Sequence, residues 1–463
     1  MSRGFVFGVE GLDKLFGEAL KPPATIVIAG HPGAGKTTLA SSICYYNAIN
    51  GRKCFYVSLQ EDKAKLYGNM RNLGLDLEAL ESKGLIKFAK FPLYSEVSEI
   101  ANEISSAVSS EGFSVVVIDS VNPLLQAVKG DYGKRAWLQN YFYDLARVIN
   151  GVVVLVAEFP FGKKRIELGA IEFVVDAMII LKHDIERGLL TRRIEIRKAR
   201  GAPLHIAEMP FTIQQGKGLV VYVPPLLEEI AREGPGISIP CEKLRSIMGD
   251  EAHLHKGMVL FIAYPPDARP LLYVPLLFGM IIANNLRAHV ISYLYPPEII
   301  KLLIYKSLGA FIERERVEML VDKHAKVSGI NPFTYSLCEL LYKELEMLSK
   351  ESDIVVFHSV DIPYTMVRDK GEYLQQLYNQ INYLKNMQKL VVRIASVTSE
   401  EMYNLNTAIS DVVMRFELER KDSGLEYKLY VWRRGLAKPF ILGTKDLMEC
   451  ICEIAEKIKR LST

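Results

Sequence analysis

The sequence predicts an α/β protein made of two tandem domains, each a mostly parallel sheet flanked by helices and carrying an antiparallel extension. Three observations lead there. The 463 residues exceed the roughly 250–300 at which a single hydrophobic core stops growing. The first half alternates short β-branched runs with helical patterns, the order that lays helices on both faces of a parallel sheet. The second half then repeats landmarks of the first at a nearly constant offset.

Taken in chain order, Ala24–Ala29, Cys54–Leu59, Ser114–Ile118 and Val152–Ala157 read as buried strands of ordinary length. Helical segments such as Thr37–Asn50 and Trp137–Ile149 separate them. From Arg192 to Ile196 and from Leu219 to Val223 the pattern changes to short strands with Gly turns, which predicts the antiparallel extension. A Pro- and Gly-rich linker between Pro224 and Pro240 sets domains at 1–228 and 229–463.

Beyond the linker, IAYPPDARPLLYV at Ile262 lies against IAGHPGAGKTTLA at Ile28, an offset of 234. At that offset Ser58 meets Ser292, and Gly201 meets Gly435. SDIVVFHSVD (Ser352–Asp361) follows FSVVVIDSVN (Phe113–Asn122), and TAISDVVMRF follows EFVVDAMIIL, aligning Asp411 with Asp176. Matches in the same order along both halves predict two copies of one fold, the second eroded.

Composition narrows the class. Hydrophobic residues make up 49% and charged residues 24% of the chain, enough for well-buried cores. A net charge of +3, from 57 basic and 54 acidic residues, gives no general pull toward nucleic acid or anionic membranes. The N-terminal MSRGFVFGVEG lacks a signal-peptide core, and the longest apolar stretch, Leu271–Ala283, is too short to span a bilayer. The six cysteines form no CxxC pair and no zinc-like cluster, so buried or free thiols in a cytoplasmic protein are expected.

The chemistry concentrates in the first copy. GHPGAGKT, from Gly30 to Thr37, fits the phosphate-binding pattern G-x-x-x-x-G-K-[ST] and stands between a strand and a helix. Gly30, Gly33, Ala34 and Gly35 turn backbone N–H groups toward phosphates, with Lys36 pairing the β/γ oxygens and Thr37 and Thr38 opening the helix. Such a loop predicts ATP with Mg²⁺, the metal held by the Thr37 hydroxyl and by Asp119 at the tip of VVVID. Glu61, in SLQED after the second strand, is the candidate base that orients the attacking water.

The stretches GLDKLFG, GHPGAGKTT, YVSLQED, VVVIDS, EFVVDAMIIL and RRIEIRKARG followed by MPFTI together resemble a RecA-superfamily ATPase domain, and within it the KaiC-like branch. The resemblance covers nearly the first 225 residues and implies tandem RecA-like folds, as in archaeal-type KaiC-domain proteins. That family carries two glutamates after the second strand; this chain has Gln60–Glu61, which predicts slow hydrolysis. The family also donates a Lys-x-Arg pair across a ring interface, and Lys198 and Arg200 match it. A hexameric homo-oligomer, trans-acting cations and a protein partner are therefore implied by the resemblance.

Two other classes of function stand beside that of a ring-forming regulatory ATPase. Phe161-Gly162-Lys163-Lys164-Arg165 falls where recombinases of this superfamily carry a DNA-facing loop, which would suit a repair accessory binding single-stranded DNA. A nucleotide-sensing assembly module with little turnover is the third. The segment Asp446–Leu461 reads as an amphipathic helix packing on its own domain.

In the second copy the offset places Asp267, Arg269, Pro270 and Leu271 where the first has Gly33, Gly35, Lys36 and Thr37. His358 stands at the position of Asp119, Tyr295 at that of Glu61, and Trp432 at that of Lys198, while Arg434 keeps the arginine. The second copy is expected to bind no nucleotide and to lack the competence for autophosphorylation.

Overall fold

In the computed structural model the chain divides into two compact units, Met1–Val223 and Pro224–Thr463. The residues described are 4–16, 20–92, 96–159, 174–202, 207–223, 235–248, 254–267, 271–348, 351–367, 369–421, 424–435 and 437–461.

The first unit is built on β1 (Ala24–Gly30), β2 (Cys54–Ser58), β3 (Ile86–Lys90), β4 (Val115–Asp119), β5 (Val152–Glu158), β6 (Ala177–Glu186), β7 (Leu189–Ala199), β8 (Glu208–Gln214) and β9 (Gly218–Val221). Among the described residues they form one sheet in the order β3-β2-β4-β5-β1-β6-β7-β8-β9. The strands from β3 to β6 run parallel, and β6 to β9 are joined antiparallel. β1 sends Ile26 and Ile28 into one layer and Val27 and Ala29 into the other. Both faces of the strand are thus apolar, as a strand covered by helices on each side requires.

The second unit opens with a short antiparallel pair, β10 (Gly236–Ile237) and β11 (Leu254–His255). Its main strands are β12 (Val259–Tyr264), β13 (Ala288–Ser292), β14 (Ala325–Gly329), β15 (Ile354–His358), β16 (Leu390–Ser396), β17 (Val412–Lys421), β18 (Gly424–Arg433) and β19 (Phe440–Gly443). Their order, β14-β13-β15-β16-β12-β17-β18-β19, repeats the first sheet strand for strand up to its last member. The chain therefore carries two RecA-like folds in tandem.

Backbone bonds repeat as well. Thr25 N–H donates to Asp176 Oδ2 at 2.9 Å, Asp176 N–H to the Thr25 carbonyl, and Arg200 N–H to the Asp176 carbonyl. In the second unit Val259, Asp411 and Arg434 make the same three bonds, the first again at 2.9 Å. An aspartate that ties three backbone groups at the base of the central strand is a structural requirement of the sheet. That explains why Asp411 persists where the glycines and lysine of the loop do not.

The apolar stretch after Leu271 forms the helix Tyr273–Ala283, which packs on the C-terminal helix Thr444–Arg460, where Ile454 lies against Gly279. The C-terminal helix thus covers its own unit, burying Leu447, Ile451, Ile454 and Ile458. No helix among the described residues is long and apolar enough to cross a membrane.

The cysteine expectation is corrected for four of the six, while Cys452 is a free, exposed thiol. Cys44, on the helix Lys36–Ile49, is bonded to Cys54 at the start of β2, with Cα atoms 5.6 Å apart. Cys241 is bonded to Cys450 on the C-terminal helix, across 209 residues of sequence. Spacing along the chain shows only local pairs; here the fold brings the partners together.

Candidate nucleotide-binding site

The site lies at the carboxyl end of β1, where the chain turns into the helix Lys36–Ile49. Gly30 ends the strand so close to β6 that a Cβ would come within 2.3 Å of the Leu181 carbonyl oxygen. Gly35 has φ of 100°, left-handed backbone, and a Cβ there would meet Ile213 of β8 at 2.8 Å. Only glycine fits both constraints, and the helix Lys36–Ile49 opens directly after them.

Lys36 is buried, at 5% exposure. Its ammonium donates to the His31 carbonyl at 2.9 Å and lies 3.8 Å from Glu158 Oε1. Burial pushes the amine down, opposed by the charges of Glu158 and Asp119. Asp119 ends β4, two strands away from β1 in the sheet, with β5 between them. Burial pushes its carboxyl up, and hydrogen bonds from Tyr56 and Thr37 together with the Lys36 charge pull it back. Thr37, Asp119 and Lys36 therefore converge on one point at the strand tips. Two hard oxygen donors beside a lysine and a glycine cradle fit Mg²⁺ and a phosphate chain.

Glu61 follows β2 in a turn clamped by Ser58. The Ser58 hydroxyl donates to the Glu61 carbonyl at 2.7 Å and accepts from the Glu61 N–H at 3.0 Å. Its carboxylate lies 3.6 Å from Lys65, one helical turn on. Glu158, at the tip of β5, is held by a two-way bond between its backbone and the Asn122 amide, at 2.7 and 2.9 Å.

Lys198 and Arg200 are not brought to this point. They lie beside Ala177, which pairs with Ile26 at the far end of β1, four residues before Gly30. At ~3.3 Å per residue that is about 13 Å along the strand. Arg200 instead reaches its own chain's Asp176, at 3.4 Å. The basic stretch Phe161–Arg165 lies outside the described residues.

Two residues of the site escaped sequence reasoning. Tyr56 of β2 donates to Asp119 Oδ2 at 2.8 Å, and Asn122 anchors Glu158. A lone hydroxyl in the otherwise apolar run CFYV was the available signal for Tyr56.

At the equivalent place in the second unit, Tyr264 stands where the first has Gly30. Its buried ring stacks on Tyr273, the first residue of the following helix, with centroids 5.9 Å apart. A pair of stacked aromatic rings thus stands at the strand-to-helix corner where the first unit has Gly30. Asp267 and Leu271 are exposed beside it, and Arg269 and Pro270 lie outside the described residues. His358 takes the place of Asp119, its Nδ1 3.2 Å from the hydroxyls of Ser292 and Ser359. The Ser58 clamp survives at Ser292, which accepts from Tyr295 N–H at 2.9 Å.

A RecA-like sheet with a lysine-bearing glycine loop at the end of its central strand and a carboxylate two strands away is the architecture of a P-loop ATPase. Residues 6–225 match the family described as "ATPase: KaiC", a match that spans nearly the whole of the first unit. The chain is 27% identical over 210 residues to the circadian clock oscillator protein KaiC of Picosynechococcus sp., covering 45% of this chain and 41% of that protein. It is 24% identical over 247 residues to a UPF0273 protein of Pyrococcus horikoshii, covering 49% of this chain and 97% of the relative. A UPF0273 protein of Thermotoga maritima is 27% identical over 241 residues, with 94% of its length covered. This chain therefore spans well under half of the clock protein but nearly all of the two shorter relatives.

Proposed function

We propose that the first unit binds ATP with Mg²⁺ at Gly30–Thr38 and hydrolyses it slowly, in a ring whose neighbouring chains complete one another's sites. The observation that carries this is the convergence of buried Lys36 with Thr37 and Asp119 at the mouth of a glycine cradle. Lys36, released from the His31 carbonyl and Glu158, pairs with the phosphate oxygens. Thr37 and Asp119 hold the metal, which neutralises charge on the phosphates when bound. Glu61, fixed by the Ser58 clamp, orients the attacking water.

The placement of Lys198 and Arg200 supports a role across an interface. In their own chain they stand about 13 Å along the strand from the loop, yet a second chain could present that edge to a neighbour's γ-phosphate. Cations donated in this way stabilise transition-state charge. The second unit, with stacked aromatic rings at the equivalent corner, contributes to assembly or to binding a protein partner and not to turnover.

Mixing tests the arrangement. Neither Lys36→Ala nor Arg200→Ala chains should hydrolyse ATP alone, while a mixture should recover part of the wild-type rate, because each supplies what the other lacks. Wild-type activity per chain should also rise with protein concentration until assembly saturates. No recovery in the mixture, together with a rate independent of concentration in a demonstrated monomer, would rule the trans arrangement out.

A further inference from the structure

We propose that Tyr56 is a positioning residue for the Asp119 carboxylate, setting how strongly the site holds Mg²⁺; this rests on the reading of Asp119 as a metal-holding residue. Tyr56 is 1% exposed on β2, next to β4, two residues before Ser58 as Asp119 stands two after Val117. Its hydroxyl donates to Asp119 Oδ2 at 2.8 Å, and its ring is stacked on Phe88 with planes 19° apart. The phenol is thus locked by packing, and its one donor proton is spent on the carboxylate. Taking one oxygen fixes the plane of the carboxylate, so the group does not rotate when a cation approaches. Partners of this kind, which orient a ligand without touching the metal, change metal affinity on the order of 10–100-fold when removed.

The second unit supplies the control. Val290 stands at the register position of Tyr56, two residues before Ser292, and His358 stands at that of Asp119. The surrounding frame is kept, including the backbone bond from Tyr293 to His358 that mirrors Leu59 to Asp119. A hydroxyl needed for the fold would have stayed with the frame. It has gone with the carboxylate it serves.

The test is equilibrium binding of a labelled non-hydrolysable ATP analogue to the full-length chain as Mg²⁺ is titrated. Tyr56→Phe, which removes only the hydroxyl, should bind the analogue like wild type in excess EDTA. The Mg²⁺ concentration giving half of the metal-dependent tightening should rise about 10–100-fold. Asp119→Asn should shift it at least as far, and Tyr56→Phe/Asp119→Asn no further than Asp119→Asn alone. The double variant also keeps the test usable should the single one unfold, since it leaves no buried carboxylate short of a donor. A Tyr56→Phe chain with unchanged Mg²⁺ dependence, beside a shifted Asp119→Asn, would overturn the proposal while sparing the metal reading. Additive shifts in the double variant would also overturn it, because Tyr56 would then act through packing. No shift in Asp119→Asn would remove the metal reading itself, and the proposal with it.

Discussion

The two units share a frame and differ at one corner and in one core layer. In the first, the layer between the sheet and the helix Tyr132–Val148 is apolar, with Leu59, Leu138, Phe142 and Leu155 packed together. In the second, the same places are taken by Tyr293, Gln376, Gln380 and Arg393, and Glu344 reaches in from the helix Leu337–Met347. Glu344 accepts from Tyr293 at 2.5 Å and from the Gln380 amide. Arg393 donates to Asn406 at 2.8 Å and to the Tyr373 hydroxyl at 3.3 Å. The unit with the glycine corner has the apolar layer, and the unit with the aromatic corner has the charged one. Sheet order, the aspartate knot and the serine clamp are common to both. The frame is thus separable from the chemistry at its tips, and each was free to change alone.

The largest expected effect lies at those tips. Glu61→Gln should leave nucleotide affinity intact and slow hydrolysis on the order of 10²-fold, as loss of a general base does. Measured by phosphate release under saturating ATP, an unchanged rate would move the base to another residue, with Glu158 at the neighbouring strand tip the next to test.

A smaller effect should appear in the second unit's charged layer. Burial raises the Glu344 carboxyl from its ordinary 4.5 to about 7, against the pull of the Tyr293 bond, the Arg393 charge and the Gln380 bond. The folded state therefore holds a proton that the unfolded chain releases near pH 4.5. Its contribution to stability is complete below that pH and is lost as pH rises toward 7. His289 works the other way, since burial lowers it from 6.5 to about 4. The measurement is accordingly a difference: wild type minus Glu344→Gln, by thermal unfolding between pH 5 and 8. Wild type should lose stability relative to the variant across that window. A difference that is flat or of opposite slope would show that Glu344 stays ionised in the folded unit.

Much of this was legible beforehand, and what was missed has physical causes. The four inner strands of the first unit showed as β-branched runs because both of their faces are buried. The β3 strand, IKFAK, was not read: it is an edge strand, most of it half-buried or exposed, so its pattern is diluted by lysines. The helix read from Trp137 begins at Tyr132, where the Asp131 carboxylate caps the Lys134 N–H at 2.9 Å, a signal outside the hydrophobic period. The loop residues Gly30, Gly33, Gly35, Lys36 and Thr37 were visible because phosphate binding constrains spacing along the chain. Tyr56 and the cysteine pairs were not, because they depend on which elements become neighbours in the fold.

On the proposed function each chain holds one nucleotide, in the first unit. Titrating full-length protein with a labelled ATP analogue and saturating Mg²⁺ should give one site per chain, and Lys36→Ala should give none while melting within a few degrees of wild type. Two sites per chain, or nucleotide still bound by Lys36→Ala with near wild-type affinity, would contradict it.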